Sequence, residues 1–341
     1  MIGNKYKYAL IDLSYILMRN MYAASKGKNI GEYNEGDIIR ITIQTLRKIV
    51  RDFGISADKF IMLYDKWDKQ LGGYYRTWLL KDFVKYKGTR VYMTEEEVER
   101  MIASGEYTEE DILKAKLEAY QNQVKYKAKW GMISDLGKIG IPCFGIEGWE
   151  FDDLAWLTAC QIYGQDNGKP SVIITKDSDL TYSLTPQMQY FKIPTGGSDP
   201  KIITYEDMYA TIPEELKAKG ISLYMYKAFL DSLGYGHNDM SSTRKSGISP
   251  TEAILKILQG DYSDVENVEA FKTQMKSFDL GGFPRLQEAK DLISTKLGTV
   301  GRLGTLDDFH KFCDKYKVSG ITDKYYSEFI AGFDQKLFSV V

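Results

Sequence analysis

A chain of 341 residues can bury a sizeable core, and its length allows one large domain or two small ones. With 45 basic and 47 acidic residues the formal net charge is −2, which by itself argues weakly against a polyanionic partner. The only histidines are His237 and His310, and Cys143, Cys160 and Cys313 lack CxxC spacing, which removes histidine-metal nucleases, most Ser-His hydrolases, zinc clusters and a disulfide framework from consideration.

The apolar run Tyr8-Ala9-Leu10-Ile11 reads as a strand that ends in Asp12. A helical pattern follows near residues 37–53, and Phe60-Ile61-Met62-Leu63-Tyr64 reads as a second strand, ending in Asp65. Before the third strand, near 141–145, lies an excursion over roughly 66–138 that no tight βα loop requires. It opens on Gly72-Gly73 and runs through a Tyr- and Lys-rich stretch to Arg90. It then passes Thr94-Glu95-Glu96-Glu97, which has the form of a helix cap, and closes in a lysine-studded helix from about Glu109 to Trp130. A helix near 152–163 begins at Glu150-Phe151-Asp152-Asp153, and strands near 172–175 and 188–192 complete the sheet pattern. After residue 200 the segments 204–210, 222–233, 250–258, 265–278, 284–296, 305–316 and 323–335 read as helices. The expectation is an α/β fold with a mainly parallel central sheet in residues 1–200, an insertion over about 66–138, and a helical region over 201–341. No run approaches the roughly 18 apolar residues of a membrane span, and the residues from Met1 lead straight into a strand pattern instead of a signal peptide. A soluble cytoplasmic protein is expected, in the host cytoplasm if the source is viral.

Three strand patterns, before Asp12, Asp65 and Asp177, end in a carboxylate, and open parallel sheets bind ligands outside the carboxyl ends of their strands. Taken singly, each of Asp12, Asp65, Glu150, Asp152, Asp153, Asp177, Asp179, Asp231 and Asp239 is more simply a cap or turn residue. Their repetition reads as a metal site, because carboxylates so gathered repel one another unless a hard cation neutralises them. All-oxygen ligands suit Mg²⁺ or Mn²⁺. The basic residues outside this set concentrate at Arg76, Lys81, Lys85, Lys87 and Arg90, and at Lys114, Lys116, Lys125, Lys127 and Lys129. The alternative for the second group is a solvated helix surface.

The order of these pieces resembles the 5′ nuclease family: the flap endonucleases, the 5′-exonuclease domain of bacterial DNA polymerase I, and the bacteriophage 5′-exonucleases and RNase H. Tyr8-Ala9-Leu10-Ile11-Asp12 is similar to the family's first strand and acid, Leu63-Tyr64-Asp65 to the second, and Tyr86-Lys87-Gly88-Thr89-Arg90 to its YKGNR segment. Gly148-Trp149-Glu150-Phe151-Asp152-Asp153 resembles GxEADD, and Thr175-Lys176-Asp177-Ser178-Asp179 resembles TxDxD. The likeness runs over about residues 6–260. It departs at the GDxxDN segment, where Asp231 is separated from Asp239, and at Ser246-Gly247-Ile248-Ser249-Pro250-Thr251-Glu252-Ala253, similar to a GxGxKTA hairpin with Ser249 in place of a glycine and Thr251 in place of the lysine.

The resemblance implies a PIN-like nuclease fold with a helical arch at about 66–138 and a divergent helix-hairpin-helix at about 222–260. It implies hydrolysis of DNA or RNA–DNA hybrids near a 5′ end or flap, in replication or repair, with RNase H action included. Two or more Mg²⁺ ions, with Mn²⁺ able to substitute, would be held in a first region by Asp12, Asp65, Glu150 and Asp152, with Asp153, Asp177 and Asp179 completing the cluster, and in a second by Asp231 and Asp239. Lys87 and Arg90, with Arg76 and Lys81, would hold the scissile phosphate. Tyr86 would stack on a displaced base or serve only as packing, and Lys114, Lys116, Lys125, Lys127 and Lys129 would attract the backbone. Gly247, Ser249 and Thr251 would contact duplex phosphates, with a monovalent cation at the hairpin. The protein would act as a monomer, with replication proteins as partners. A PIN-like endoribonuclease and a non-catalytic nucleic-acid-binding protein of the same fold are the alternatives; a haloacid-dehalogenase-type phosphatase would need DxD at the first strand, where Ser14 stands instead.

Overall fold

The structure is a computed structural model that describes residues 6–82, 93–164, 168–193, 201–235, 242–300 and 304–316. In chain order its elements are β1 (Ala9–Asp12), α1 (Leu13–Ser25), α2 (Glu35–Phe53), β2 (Phe60–Leu63), α3 (Tyr75–Leu80), α4 (Glu95–Ser104), α5 (Glu109–Leu136), β3 (Cys143–Phe144), α6 (Phe151–Tyr163), β4 (Ser171–Thr175), β5 (Met188–Lys192) and β6 (Lys201–Ile203). The helices α7 (Tyr205–Tyr209), α8 (Glu214–Lys217), α9 (Leu223–Leu233), α10 (Pro250–Leu258), α11 (Val268–Lys276), α12 (Leu286–Leu297) and α13 (Leu306–Lys315) follow. The expected helix near 323–335 lies outside the described residues. The chain is an α/β protein with a mixed, mostly parallel six-stranded sheet. It divides into two compact units, the first made of residues 1–64, 91–144 and 296–341, the second of 65–90 and 145–295.

In the first unit β1 and β2 run parallel with Ala9 beside Phe60 and Asp12 beside Leu63, and β2 runs parallel to β3. Every residue of β1 and β2 is buried, so these strands read in sequence as unbroken apolar runs instead of alternating ones. Helix α1 follows β1 without a connecting residue, and no Gly or Pro marks its start; Asp12 closes the strand and caps the helix by accepting the Tyr15 N–H at 2.8 Å. Helix α2 starts at a capping box of Asn34 and Asp37 and stops at Gly54 in the left-handed conformation. The 28-residue α5 has its own capping box of Thr108 and Asp111, and its small buried stripe includes Ala115, Ala119, Val124, Ala128 and Met132. That stripe packs α5 against α1 and α2, and against Val98 of α4. The later part of the expected excursion thus contributes to a packed core in this unit.

In the second unit β4 and β5 are parallel, and β6 lies antiparallel to β5. Helix α9 packs on α11 and on the short 3-10 helix Ser178–Ser183, which α6 also touches. Aromatic side chains fill the space between these elements. Trp149, fully buried, donates its indole N–H to the Pro284 carbonyl at 2.8 Å, and its ring lies 4.8 Å from that of Phe283. No helix among the described residues is long and apolar enough to cross a membrane.

Candidate active site

The acids of the second unit occupy three places: the segment Asp65–Lys66, the N-terminus of α6, and the 3-10 helix facing α9. Lys66 and the Gly148–Trp149 segment bond through their backbones, with Gly148 N–H donating to the Lys66 carbonyl at 2.8 Å and Lys66 N–H to that of Trp149 at 3.2 Å. This bridge requires Gly148 at φ +83°, where any Cβ would also stand 3.4 Å from Leu71 Cδ1. It sets Asp65 over the start of α6, where Asp65 Oδ1 accepts the Phe151 N–H at 2.7 Å. That amide belongs to the first turn, which has no intrahelical partner and carries the positive end of the helix dipole. Glu150 is the buried N-cap residue, and Asp152 and Asp153 follow in the first turn. Asp65, Glu150 and Asp152 are therefore brought to one helix terminus.

Asp153 faces inward, 1 % exposed, and pairs with the guanidinium of Arg76. Arg76 Nε donates to the Ser277 carbonyl at 3.2 Å, its Nη2 to Tyr224 Oη at 3.4 Å, and its guanidinium carbon lies 4.6 Å from the centre of the Phe278 ring. Arg76, expected to hold a phosphate, is thus buried and engaged with Asp153, Ser277, Tyr224 and Phe278, as a buried arginine that serves as a counter-ion would be. Asp153 likewise serves this ion pair. Burial pushes the Tyr224 phenol up; Arg76 opposes the shift while Asp153 and Asp152 add to it. The Tyr224 ring stacks on Trp156 at 4.5 Å.

Asp177 follows β4 and caps the 3-10 helix by accepting the Asp179 N–H at 3.0 Å. Asp179 lies 3.8 Å from Lys227 Nζ, and the same ammonium donates to Asp231 Oδ2 at 2.6 Å. Lys227 and Asp231 stand four apart on α9 and are both buried. Burial raises the Tyr182 phenol, and the charges of Asp231 and Asp179 raise it further, so Tyr182 shares this pocket. Sequence reasoning does not single out Lys227, Tyr224 or Tyr182; the available signal is a Lys and an Asp at i, i+4 inside the otherwise apolar run Leu223–Leu233.

The remaining expected residues lie on other elements. Asp12 belongs to the first unit, where it caps α1. Lys81 is exposed, with Nζ 5.9 Å from the centre of the Trp78 ring. On α5, Lys114, Lys116 and Lys127 are exposed. Lys125 is half-buried and bonded to Asn122 at 3.3 Å; burial pulls its ammonium down and Glu118 opposes this. Lys129 Nζ lies 5.0 Å from the centre of the Tyr64 ring. Gly247 adopts φ +81° ahead of α10, Ser249 is the N-cap of that helix without a side-chain cap bond, and Thr251 lies in its first turn. Lys85, Tyr86, Lys87, Arg90 and Asp239 lie outside the described residues.

Carboxylate oxygens are the right donors for a hard divalent ion. Among the described residues, however, no group of three or more His, Cys, Asp or Glu side chains is arranged to hold a metal. Asp153 and Asp231 pair with the chain's own cations, and Asp65 and Asp177 each accept a backbone amide.

No protein-family model and no curated protein matches the chain. Among solved structures it is similar to a bacteriophage T5 flap endonuclease in complex with DNA and metal ions, with 16% identity and a TM-score of 0.46 over 91% of this chain and 97% of that one. It is similar to human GEN1 in complex with Holliday junction DNA, with 12% identity and a TM-score of 0.42 over 91% of this chain and 68% of that one. A third similar structure is the catalytic core of Rad2 in complex with DNA substrate, with 16% identity and a TM-score of 0.37 over 92% of this chain and 80% of that one.

Proposed function

We propose that the chain is a metal-dependent, structure-specific 5′ nuclease that hydrolyses phosphodiester bonds at 5′ ends or flaps of DNA or RNA–DNA hybrids. The observation that carries this reading is the convergence of Asp65, Glu150 and Asp152 on the N-terminus of α6, in a chain whose motifs follow the order of that family. Asp65, Glu150 and Asp152, with Asp177 and Asp179, would hold Mg²⁺ or Mn²⁺; Asp12 enters by its motif alone. When bound, the metal supplies neutralising charge to the phosphodiester and lowers the pKa of water at neutral pH. The protein's own groups serve to orient: the Phe151 and Asp179 amides fix the Asp65 and Asp177 carboxylates, and the Arg76–Asp153 pair anchors α6 to α3. Burial pushes the thiols of Cys143, Cys160 and Cys313 up, the last two to about 11, which disfavours a cysteine nucleophile.

Lys87 and Arg90 would bear on the scissile phosphate and Tyr86 on the displaced base. Lys114, Lys116 and Lys127, exposed on α5, would attract the nucleic-acid backbone without reading its sequence. Gly247, Ser249 and Thr251 would grip the duplex portion of a divergent hairpin. A monomer in the cytoplasm, acting in replication or repair, fits this chemistry.

The test is cleavage of end-labelled 5′ flaps, nicked duplexes and RNA–DNA hybrids in Mg²⁺, Ca²⁺ or EDTA. Mg²⁺-dependent cleavage close to the 5′ junction is expected. Robust cleavage in excess EDTA would refute the mechanism, and cutting of single-stranded RNA without regard to a 5′ end would point to an endoribonuclease.

A further inference from the structure

The second acidic region already contains a cation. Lys227 is 7 % exposed and its ammonium donates to Asp231 Oδ2 at 2.6 Å, while Asp179 Oδ2 lies 3.8 Å away on the other element. The Phe278 ring centre is 5.4 Å from the same nitrogen. Asp231 is itself buried, on the helical turn that follows Lys227. The lysine therefore cannot give up this position simply by turning a surface side chain toward water: its head sits between two carboxylates and beside an aromatic face, where a positive charge is favoured.

We infer that the Lys227 ammonium is a built-in counter-ion that takes the place of a divalent ion at the Asp179–Asp231 pair, so that this pair binds no metal. The inference rests on the metal-dependent reading above and narrows it by taking Asp179 out of its ligand set and by keeping Asp231 out. Divalent ions would be held by the other acids of that reading, Asp65, Glu150, Asp152 and Asp177, and not by Asp231. The physical argument is one of space and charge. A Mg²⁺ ion would need oxygen ligands at about 2.0–2.1 Å in near-octahedral geometry. An ammonium within hydrogen-bond distance of one of those oxygens occupies that approach, and two cations side by side in a buried pocket repel strongly. Lys227 is thus a positioning residue: it holds Asp231 and Asp179 in register between α9 and the 3-10 helix.

The test counts Mn²⁺ ions bound to the metal-stripped full chain by titration calorimetry, without substrate. D179N should bind the same number of ions as the parent, since the acid it removes holds no metal; Asp179 is partly exposed, so this variant should fold. K227Q should bind one ion more than the parent, because two like carboxylates would then face each other with no cation between them, and adding D231N to K227Q should abolish that extra ion. Loss of an ion in D179N, or no gain in a folded K227Q, would overturn the inference. If K227Q fails to fold, the D179N count decides alone. D177N separates this from the broader reading: a D177N count equal to that of the parent would move the metal away from Asp177 while leaving the Lys227 result to stand by itself.

Discussion

Replacing Arg76 by methionine removes the guanidinium but keeps a side chain of similar reach, and it takes the Arg76 ion pair from Asp153, which is 1 % exposed. Breaking a buried ion pair in this way costs about 3–5 kcal/mol, because the remaining charge is left uncompensated. The Ser277 carbonyl and the Tyr224 hydroxyl also lose a donor, each loss adding about 1 kcal/mol where water does not replace it. A total of about 4–6 kcal/mol corresponds to a fall in melting temperature of roughly 8–24 °C for a unit of this size. Thermal and urea unfolding should show that loss for Arg76→Met. Asp153→Leu on the Arg76→Met background should recover most of it, since apolar replacement of both partners removes the stranded charge. Binding of a 5′-flap substrate, measured well below the melting temperature, should be nearly unchanged. An Arg76→Met protein as stable as the parent but weaker in flap binding would refute the counter-ion reasoning and return Arg76 to the phosphate.

Three further outcomes are expected. Asp135, on α5, accepts from Lys138, Lys315 and Tyr316, each at 2.6 Å; burial would raise its carboxyl, but these bonds hold it down at about 2. Its contribution, at most about 2 kcal/mol before solvent screening, is present at neutral pH and is lost as pH falls from about 4 toward about 2, so Asp135→Asn should flatten urea stability over that window. Gly234, which ends α9 at φ +78°, leaves no room for a side chain: a Cβ there would stand 2.4 Å from the Ser242 Cα. Gly234→Ala should therefore cost more than about 1 kcal/mol by urea unfolding, and a neutral result would refute that close approach. Charge reversal of the exposed trio Lys114, Lys116 and Lys127 should weaken binding of substrates with single-stranded 5′ ends and lower the salt slope by about 0.7 for each phosphate no longer neutralised. An unchanged slope would return α5 to a solvated surface.

Local chemistry is legible in the sequence where one segment decides its own state. The strands β1, β2 and β4 can be placed because buried parallel strands are continuous apolar runs, and the start of α5 because Thr108 and Asp111 supply a capping box. The end of α5 extends to Leu136, beyond the expected Trp130, and its buried positions continue through Met132 and Leu136, which no local signal marks. Helix α1 escapes a reading of the sequence because it starts directly at Asp12, without the turn residues that normally separate a strand from a helix. The short β6 escapes it for the opposite reason: Lys201 and Ile202 are exposed, and pairing with β5, not an apolar face, makes the segment a strand. In the candidate site the sequence identifies the acids but not the state of their charges. Nothing in the sequence around Asp153 announces that Arg76 from α3 will pair with it, and nothing around Asp65 announces that it will accept the Phe151 amide. Which cation stands within about 4 Å of a carboxylate is decided within one helix for Asp231, four residues from Lys227, but by tertiary packing of distant segments for Asp153 beside Arg76 and for Asp179 beside Lys227.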